Sequence, residues 1–332
     1  MTGTRQIRMK QRPASVPGDA DFEFAQITLP DPGEGEILVA PHAISLDPYI
    51  RLRMAGRHLT GNLSPGDAIS SEMVGRVLQS RSQAFSEGDM VAGFAPWQER
   101  AVVSSADLRK VEFGAVPASL ALGVLGMPGL TAFAGVTQLM KPGADDVVVV
   151  SAAAGPVGSV VGQLAKARGA RVIGIAGSPE KCRWVVDSAG FDACIDYRSE
   201  DVAQSLRSLV PDGPTCYFDN VGGALLRSMI GSLRPYGRIV LCGIIADYNS
   251  DQPAPGPLPL EIIGARATIM GLVVYDFEHL RDQMIEQILP LVSAGTLAWR
   301  EDVTEGLENA PAAFARLMRG ENEGKAILRL TQ

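Results

Sequence analysis

The pattern of hydrophobic and polar positions divides the chain into two parts. Up to about residue 125, short apolar segments such as 37–40 and 90–93 alternate with turns that contain Gly and Pro, as at 65–67. Short strands at this spacing are typical of antiparallel sheets that close into a barrel. The first part of the chain is therefore predicted to form a barrel-like β domain.

From about residue 126 the pattern changes to alternating helices and strands. The β-branched run at 147–150 is typical of a parallel strand covered on both faces, and helical spacing follows it. Six strands joined by crossover helices predict an α/β fold with a doubly wound sheet. The predicted strands are 147–151, 171–176, 193–196, 215–219, 237–243 and 267–274, and the predicted helices are 130–140, 157–168, 179–188, 200–209 and 223–232.

Further elements are predicted towards the C-terminus. Helical spacing indicates helices at 278–293 and 307–319, and an apolar run at 325–330 predicts a strand that rejoins the first domain. Residues 251–260 carry four prolines and are predicted to form a stiff loop, either over a cleft or as a surface connector. The predicted domains are 1–125, completed by about 290–332, and 126–289.

The strand at 147–151 leads into a glycine-containing turn. Residues 153–158 read Ala-Ala-Gly-Pro-Val-Gly, which is the dinucleotide pattern G-x-G-x-x-G with alanine in place of its first glycine. Gly155 lets the backbone approach a pyrophosphate, Gly158 lets the helix pack closely on the strand, and the helix start offers free N–H groups to the anion. Because a second strand follows at βαβ distance, the pattern predicts a nucleotide site rather than an ordinary tight turn.

The end of the second strand indicates which dinucleotide binds. An NAD site places a carboxylate there for the ribose 2′-hydroxyl, whereas an NADP site accommodates a phosphate and excludes that charge. Residues 176–178 are the neutral Ala, Gly and Ser, and Lys181 follows one helical turn later as a phosphate partner. Glu180 is expected to point away at the helix start, where a carboxylate suits the helix dipole. NADP(H) is therefore predicted over NAD(H).

Composition and charge argue against several other classes of protein. The chain has 332 residues, a formal net charge of −7 and no basic cluster, so no nucleic-acid partner is expected. The sequence shows neither a bilayer-spanning apolar run nor a signal-peptide pattern, so a cytoplasmic protein without membrane contact is expected. The cysteines have no C-x-x-C spacing, which supports neither a disulfide framework nor a structural zinc site. They are Cys182, Cys194, Cys216 and Cys242.

Motifs spread over essentially the full length resemble those of one superfamily. They are 46–51 (Leu-Asp-Pro-Tyr-Ile-Arg), 127–132 (Met-Pro-Gly-Leu-Thr-Ala), 151–158, 218–223 (Phe-Asp-Asn-Val-Gly-Gly), 242–249 and 306–311. On these residues the chain resembles the medium-chain dehydrogenase/reductase superfamily and, within it, the zinc-free prostaglandin reductase branch of NADPH-dependent alkenal/one double-bond reductases. The resemblance implies a GroES-like β-barrel domain, a Rossmann domain with a doubly wound parallel six-stranded sheet, and a homodimer.

The resemblance also bears on metal binding. Zinc-dependent relatives carry Gly-His-Glu and an upstream cysteine in the first domain, whereas residues 70–72 here are Ser-Ser-Glu and no cysteine precedes Cys182. Catalytic zinc needs three protein ligands. No metal is therefore expected, and the histidines are interpreted as surface or packing residues. They are His42, His58 and His279.

Without a metal, the expected chemistry is one that a nicotinamide performs beside a hydrogen-bond donor. Hydride addition to the β-carbon of an enone develops negative charge on the carbonyl oxygen, which a donor stabilises before the α-carbon is protonated. By resemblance, Tyr248 is the donor, while Tyr49 shapes the pocket and assists. A phenol with a pKa of about 10 remains protonated at neutral pH and can donate. The alternative is that both tyrosines only line an apolar pocket.

The resemblance assigns the cofactor contacts residue by residue. Those under the pyrophosphate are Gly155, Pro156, Val157 and Gly158; those near the 2′-phosphate are Ser178, Lys181 and Tyr197; those along the nicotinamide side are Asn220, Cys242, Gly243 and Ile244; those beside the ring are Leu272, Val273 and Val274; and Asn322 reaches in from the C-terminal segment.

The resulting interpretation is an NADPH-dependent reductase of the carbon–carbon double bond in small hydrophobic α,β-unsaturated ketones or aldehydes. A quinone reductase of the same superfamily is the enzymatic alternative, because it uses the same zinc-free site on a flatter acceptor. A catalytically idle NADPH-binding sensor is the alternative from another class of protein.

Overall fold

The computed structural model describes residues 2–250, 252 and 254–330. The described residues divide into two compact units. The first extends to Leu122 and resumes at Glu301, and the second is Gly123–Arg300. The domain boundaries predicted from the sequence, near 125 and 290, stay a prediction. The two units are groups of densely packed residues and do not by themselves define domains.

Strands and helices follow one another along the described residues as follows. The strands are β1 (Thr2–Met9), β2 (Phe22–Leu29), β3 (Glu36–Ser45), β4 (Ser70–Ser80), β5 (Met90–Pro96), β6 (Ala101–Ser104), β7 (Leu108–Lys110), β8 (Val147–Ser151), β9 (Arg171–Ala176), β10 (Ala193–Asp196), β11 (Cys216–Asp219), β12 (Arg238–Leu241), β13 (Thr268–Gly271), β14 (Glu301–Glu305) and β15 (Lys325–Arg329). The α-helices are α1 (Tyr49–Ala55), α2 (Met127–Ala134), α3 (Gly158–Lys166), α4 (Pro179–Asp187), α5 (Val202–Leu209), α6 (Gly223–Ser232), α7 (Pro259–Ala265), α8 (Arg281–Ser293) and α9 (Ala310–Met318).

The first unit is built on a sheet that is mainly antiparallel. Its strand order is β14-β15-β3-β4-β5-β7, with β6 also paired to β3, and β1 pairs with β2 in a separate two-stranded sheet. Strand β15, from the C-terminal segment, pairs with β3 from Ile327 opposite Ser45 to Arg329 opposite Ala43. Buried side chains from Ala43, Val74 and Ile327 share one core. The C-terminal strand β15 is therefore part of the first unit.

The second unit is a parallel sheet with crossover helices. Its strand order in the described residues is β10-β9-β8-β11-β12-β13. Counted within the unit this is the order 3-2-1-4-5-6 of a doubly wound dinucleotide-binding sheet. Val149, Ile173 and Ile239 are each fully buried in one core of this sheet. The predicted fold class is confirmed, and it places the carboxyl ends of all six strands along one edge.

One predicted helix differs in kind from the observed element. Residues 130–140 were expected to be a single α-helix, but α2 ends at Ala134 and Gly135–Met140 form a π-helix. Gly135 lies at the junction, where an added Cβ would come 2.4 Å from the ring of Phe218. The wider turn therefore begins where the helix packs directly on the sheet.

The proline-rich segment also differs from its prediction. Asp251 and Pro253, part of the predicted loop 251–260, lie outside the described residues. The segment does not stay a loop to its end, because α7 begins at Pro259. Proline is favoured at the first helical position, where its missing N–H would have no helical partner.

Candidate functional site

Each predicted cofactor residue of the second unit lies at or just beyond the carboxyl end of a strand. Strands β12 and β13 end earlier than predicted, so the segments that begin at Cys242 and Leu272 are loops and not strand ends. In a doubly wound sheet, ligands bind outside this edge. The predicted residues follow the strands as Gly155, Pro156, Val157 and Gly158 after β8, Ser178 and Lys181 after β9, Tyr197 after β10, Asn220 after β11, Cys242, Gly243, Ile244 and Tyr248 after β12, and Leu272, Val273 and Val274 after β13.

The turn after β8 is tight at two positions. Ala152 has a left-handed backbone with φ of 48°, which is uncommon for a residue with a Cβ. An added Cβ on Gly158 would lie 2.5 Å from the Ala152 carbonyl oxygen, so this position needs glycine. The backbone therefore turns from strand to helix within a few residues, and the N-terminus of α3 lies just beyond the carboxyl end of β8.

A buried carboxylate joins the ends of two neighbouring strands, β8 and β11, at this edge. Asp219 is fully buried, and its Oδ1 accepts hydrogen bonds from Ser151 Oγ (3.0 Å) and Tyr217 Oη (2.8 Å). The same oxygen accepts from the backbone N–H groups of the two residues after Asn220, at 2.9 and 3.0 Å. Ser151 Oγ in turn accepts from the Asn220 N–H at 2.8 Å. The position of Asn220 is thus set by side chains of both β8 and β11.

We expect Ser151→Ala to lower the free energy of unfolding by about 2 kcal/mol, since two buried hydrogen bonds are lost at about 1 kcal/mol each. Urea unfolding followed by circular dichroism measures the change. Ser208→Ala on α5 is the matched control, because the Ser208 hydroxyl also donates a hydrogen bond but is exposed. Equal small changes in the two variants would contradict a positioning network at Ser151.

The loop after β12 is held to the same aspartate. The N–H groups of Cys242 and Gly243 donate to the Asp219 carbonyl oxygen at 2.8 and 3.1 Å. Tyr248 folds back over this loop, and its hydroxyl lies 3.6 Å from the position of a Cβ added to Gly243. The Tyr248 side chain is buried, with 8% of the residue exposed. Its phenol therefore points at the loop after β12 and not at bulk solvent.

Burial changes the acidity of two side chains in this loop. Desolvation raises the pKa of Tyr248 to about 12, although a backbone hydrogen bond from Ile244 opposes part of the rise. Desolvation also raises the pKa of Cys242 to about 12. Both groups are therefore neutral at physiological pH, and the Tyr248 hydroxyl keeps its proton available for donation.

The loops after β9 and β10 meet at Gly177. An added Cβ on Gly177 would lie 2.7 to 2.9 Å from the ring and hydroxyl of Tyr197, so this ring packs directly on the glycine. Ser178 begins α4 as its N-cap, and its hydroxyl accepts from the Lys181 N–H at 3.2 Å. Glu180 is exposed and pairs with Arg183 at 3.3 Å. The loops after β9 and β10 thus bring together Ser178, Lys181 and Tyr197, with Gly177 between them.

One basic residue at this place was not predicted. The guanidinium of Arg198 lies 6.0 Å from the centre of the Tyr197 ring, and the Arg198 N–H donates to Asp196 at 3.1 Å. The side chain is exposed, so its charge is open to an anion. Its place directly after Tyr197 was the available signal, since a basic residue beside a predicted phosphate contact favours the same ligand.

Tyr49 and Asn322 belong to the first unit. Tyr49 is the first residue of α1, and its ring lies 5.3 Å from the His58 ring. Burial, together with the charge of Arg53, lowers the pKa of His58, so this imidazole is neutral at pH 7. Asn322 lies in the loop before β15, where its amide donates to the Gly324 carbonyl at 2.7 Å. His58 therefore packs against a predicted site residue.

The residues at the zinc-ligand positions of the superfamily do not fit a metal ion. Ser71 is fully buried, donates to the Ser45 carbonyl at 2.7 Å and accepts from the Trp97 indole at 2.8 Å. Glu72 pairs with Arg109 at 3.3 Å. Across residues 2–250, 252 and 254–330, no group of three His, Cys, Asp or Glu side chains could hold a metal.

None of the helices in the described ranges has both the length and the apolar character that crossing a bilayer requires.

Comparison with known proteins gives matches over nearly the whole chain. Residues 5–111 match the family described as the N-terminal domain of oxidoreductase, and residues 156–293 match the zinc-binding dehydrogenase family. The chain is 38% identical to prostaglandin reductase 1 of Bos taurus, over 99% of this chain and 100% of that one. It is 36% identical to the NADP(+)-dependent 2-alkenal reductase of Nicotiana tabacum, over 99% and 98% of the two chains. The solved structure of CurA from Vibrio vulnificus in complex with NADPH has 35% identity and a TM-score of 0.92, covering 99% of both chains.

Proposed function

Because the chain belongs to the medium-chain dehydrogenase/reductase superfamily, in its zinc-free alkenal reductase branch, we propose that it reduces the C=C bond of α,β-unsaturated ketones and aldehydes with NADPH. One named relative is a prostaglandin reductase, another is an NADP(+)-dependent 2-alkenal reductase, and the similar CurA structure was solved in complex with NADPH. The observation within this chain that supports the proposal is Tyr248, a buried phenol directed at the loop after β12.

When bound, NADPH supplies a hydride to the β-carbon of the enone. The chain supplies the groups around that transfer. Tyr248 donates its proton, or a hydrogen bond, to the carbonyl oxygen as negative charge develops there. Its raised pKa keeps the donor protonated throughout the physiological range. Tyr49 lines the pocket for the apolar part of the substrate and assists. No metal ligand is required for this division of roles.

The proposed cofactor contacts agree with the chemistry of each loop. Gly155 and Gly158 carry no side chain, so a pyrophosphate can approach the backbone at the start of α3 closely. Lys181, Ser178 and Tyr197 present one cation and two hydroxyl groups to a 2′-phosphate, and Gly177 offers no carboxylate to repel it. Asn220, fixed by Ser151, presents an amide to the nicotinamide half of the cofactor, and Leu272, which is buried, provides an apolar surface beside the ring.

The direct test is oxidation of NADPH, followed at the absorbance of the cofactor, with the enone 3-nonen-2-one. The expected result is rapid oxidation with NADPH, slow oxidation with NADH, and the saturated ketone as product. Turnover of quinones with none of enones would favour the quinone reductase instead. Tight NADPH binding without turnover of either acceptor would favour the sensor.

We also propose that the protein is a homodimer that pairs through the edge of the parallel sheet. Strand β13 ends the sheet in the described residues, and an unpaired edge is a template for a second strand. Helix α7, beside this edge, exposes Leu260 at 76% and Ile263 at 67%. Exposed apolar side chains next to an open edge are typical of a surface that a second copy covers.

The double change Leu260→Glu and Ile263→Glu is expected to convert the dimer to a monomer, because it places two charges in an apolar interface. Light scattering after size-exclusion chromatography measures the mass. The control is Leu59→Glu, since Leu59 is 81% exposed but lies in the first unit. A parent chain that is already monomeric would refute the dimer, and a double variant that remains dimeric would refute this interface.

A further inference from the structure

A buried ion pair joins two distant motifs of the first unit. Lys325 is the first residue of β15, and its ammonium donates to the carboxylate of Asp47 and, at 3.0 Å, to the Leu46 carbonyl. The other carboxylate oxygen of Asp47 accepts from the Ser45 hydroxyl. The two charged side chains are only 4% and 6% exposed. Since burying such a pair costs several kcal/mol of desolvation per ion, a hydrophobic pair of the same size would stabilise the fold as well or better.

One end of the pair controls the start of α1. The Asp47 carbonyl oxygen accepts from the Ile50 N–H at 3.1 Å, which closes the first turn of the helix that begins at Tyr49. Farther along the helix, Arg51 is buried and donates to the Ser15 and Pro13 carbonyls at 3.1 and 3.2 Å. The bonds made by Asp47 and by Arg51 therefore hold helix α1 in place. The helix in turn sets the direction of the Tyr49 side chain.

The other end of the pair controls the loop that carries Asn322. This loop runs directly into β15, and the Asn322 amide is bonded to the Gly324 carbonyl, one residue before Lys325. A second link, from the Leu46 N–H to the Ala326 carbonyl at 3.1 Å, runs parallel to the ion pair. Tyr49 lies two residues from Asp47, and Asn322 lies three residues from Lys325.

We propose that Asp47 and Lys325 are positioning residues, which hold Tyr49 and Asn322 in one fixed arrangement within the first unit. The inference rests on the proposed function of those two residues. An apolar pair would fill the same space, but it would lose the directional bonds to Ser45 and to the Leu46 carbonyl. The charges are thus retained for geometry rather than for stability. Displacing a side chain of an active site by even 1 Å lowers the reaction rate by up to about 100-fold.

The test separates geometry from stability by replacing both charges at once. The variant Asp47→Leu/Lys325→Met is expected to keep a thermal midpoint close to that of the parent chain and to lose about tenfold in kcat/KM for the enone. The matched control replaces the exposed pair of Arg329 and Glu305, on β15 and β14, by Met and Leu, and should change neither quantity. An apolar double variant with parental stability and parental kcat/KM would overturn the proposal.

A double-mutant cycle then asks whether the pair acts through Tyr49. Tyr49→Phe is made in the parent chain and in the apolar double variant, and its effect on kcat/KM is expected to be much smaller in the second background. If Tyr49→Phe lowers kcat/KM by the same factor in both backgrounds, the proposal is overturned. If the double variant does not fold, Ser45→Ala replaces it, because that change loosens Asp47 while both charges stay. Parental kinetics in Ser45→Ala would then count against the pair.

Turnover by the unmodified protein distinguishes failure of the proposed function from failure of this inference. If the parent turns over neither enones nor quinones, the reductase proposal fails, and the pair is judged by NADPH affinity alone. In that case a weaker affinity in the double variant supports the link to Asn322, and an unchanged affinity overturns it.

Discussion

Tyr248→Phe is expected to lower kcat by about 100- to 1,000-fold, which is the range for loss of one preorganised donor to a developing oxyanion. The hydroxyl is buried, so water does not readily replace it, and a donor in a desolvated position contributes more than one in water. The Kd for NADPH is expected to stay close to that of the parent chain, because the proposed role involves the substrate oxygen. Steady-state kinetics with 3-nonen-2-one and a fluorescence titration with NADPH measure the two quantities.

Tyr236→Phe is the matched control for this experiment. Tyr236 is a tyrosine of the same unit, but it is 74% exposed and its ring lies 5.6 Å from the Arg266 guanidinium. The control should retain parental kcat. Parental turnover in Tyr248→Phe would reassign the donor, with Tyr49 as the first alternative. A loss of NADPH affinity equal to the loss of kcat would instead indicate that the phenol supports the loop after β12.

Lys181→Ala is expected to weaken NADPH binding by about 1.5 to 3 kcal/mol, the contribution of a hydrogen bond to a charged group, while NADH binding stays nearly unchanged. That energy corresponds to a roughly 10- to 150-fold rise in the Kd for NADPH. Binding is not expected to be abolished, because Arg198 leaves a second cation beside Tyr197. Isothermal titration with each cofactor measures the difference.

Arg183→Ala provides the control on the same helix. Arg183 is also basic and exposed, but it pairs with Glu180 and is not among the residues that meet at Gly177. This variant should affect both cofactors little. If Lys181→Ala weakened NADPH and NADH equally, the assignment of Lys181 to the 2′-phosphate would be wrong. The result is also expected to be salt-dependent, since a phosphate contact at an exposed site is screened.

The parallel sheet could be predicted because its signal is local. Val147, Val148, Val149 and Val150 form an uninterrupted β-branched run, and a strand covered on both faces is the structure in which such a run is buried. The glycines of the following turn are also local signals, and Gly158 indeed has no room for a Cβ. Predicted strand ends were less accurate, because a strand stops where pairing stops rather than where apolar residues stop.

The parts that could not be predicted depend on partners distant in the chain. The change from α- to π-helix at Gly135 follows from its contact with Phe218, more than eighty residues later. The ion pair of Asp47 and Lys325 joins residues 278 positions apart, and neither carries a local sign that it is buried. Burial of Tyr248 depends on how its loop folds back over Gly243. Sequence patterns identify the loops of the site, but packing decides which side chains they present.

The contact between Gly177 and Tyr197 has an evolutionary consequence. Every glycine codon differs from a codon for aspartate or glutamate by one base. A single such change at residue 177 would place a carboxylate at the end of β9, where NAD-dependent proteins carry one. The new Cβ would also displace the Tyr197 ring, which now lies within 3 Å of that position. One point mutation is therefore expected both to repel the 2′-phosphate and to displace Tyr197, its proposed partner, so a single nucleotide change would disfavour NADPH.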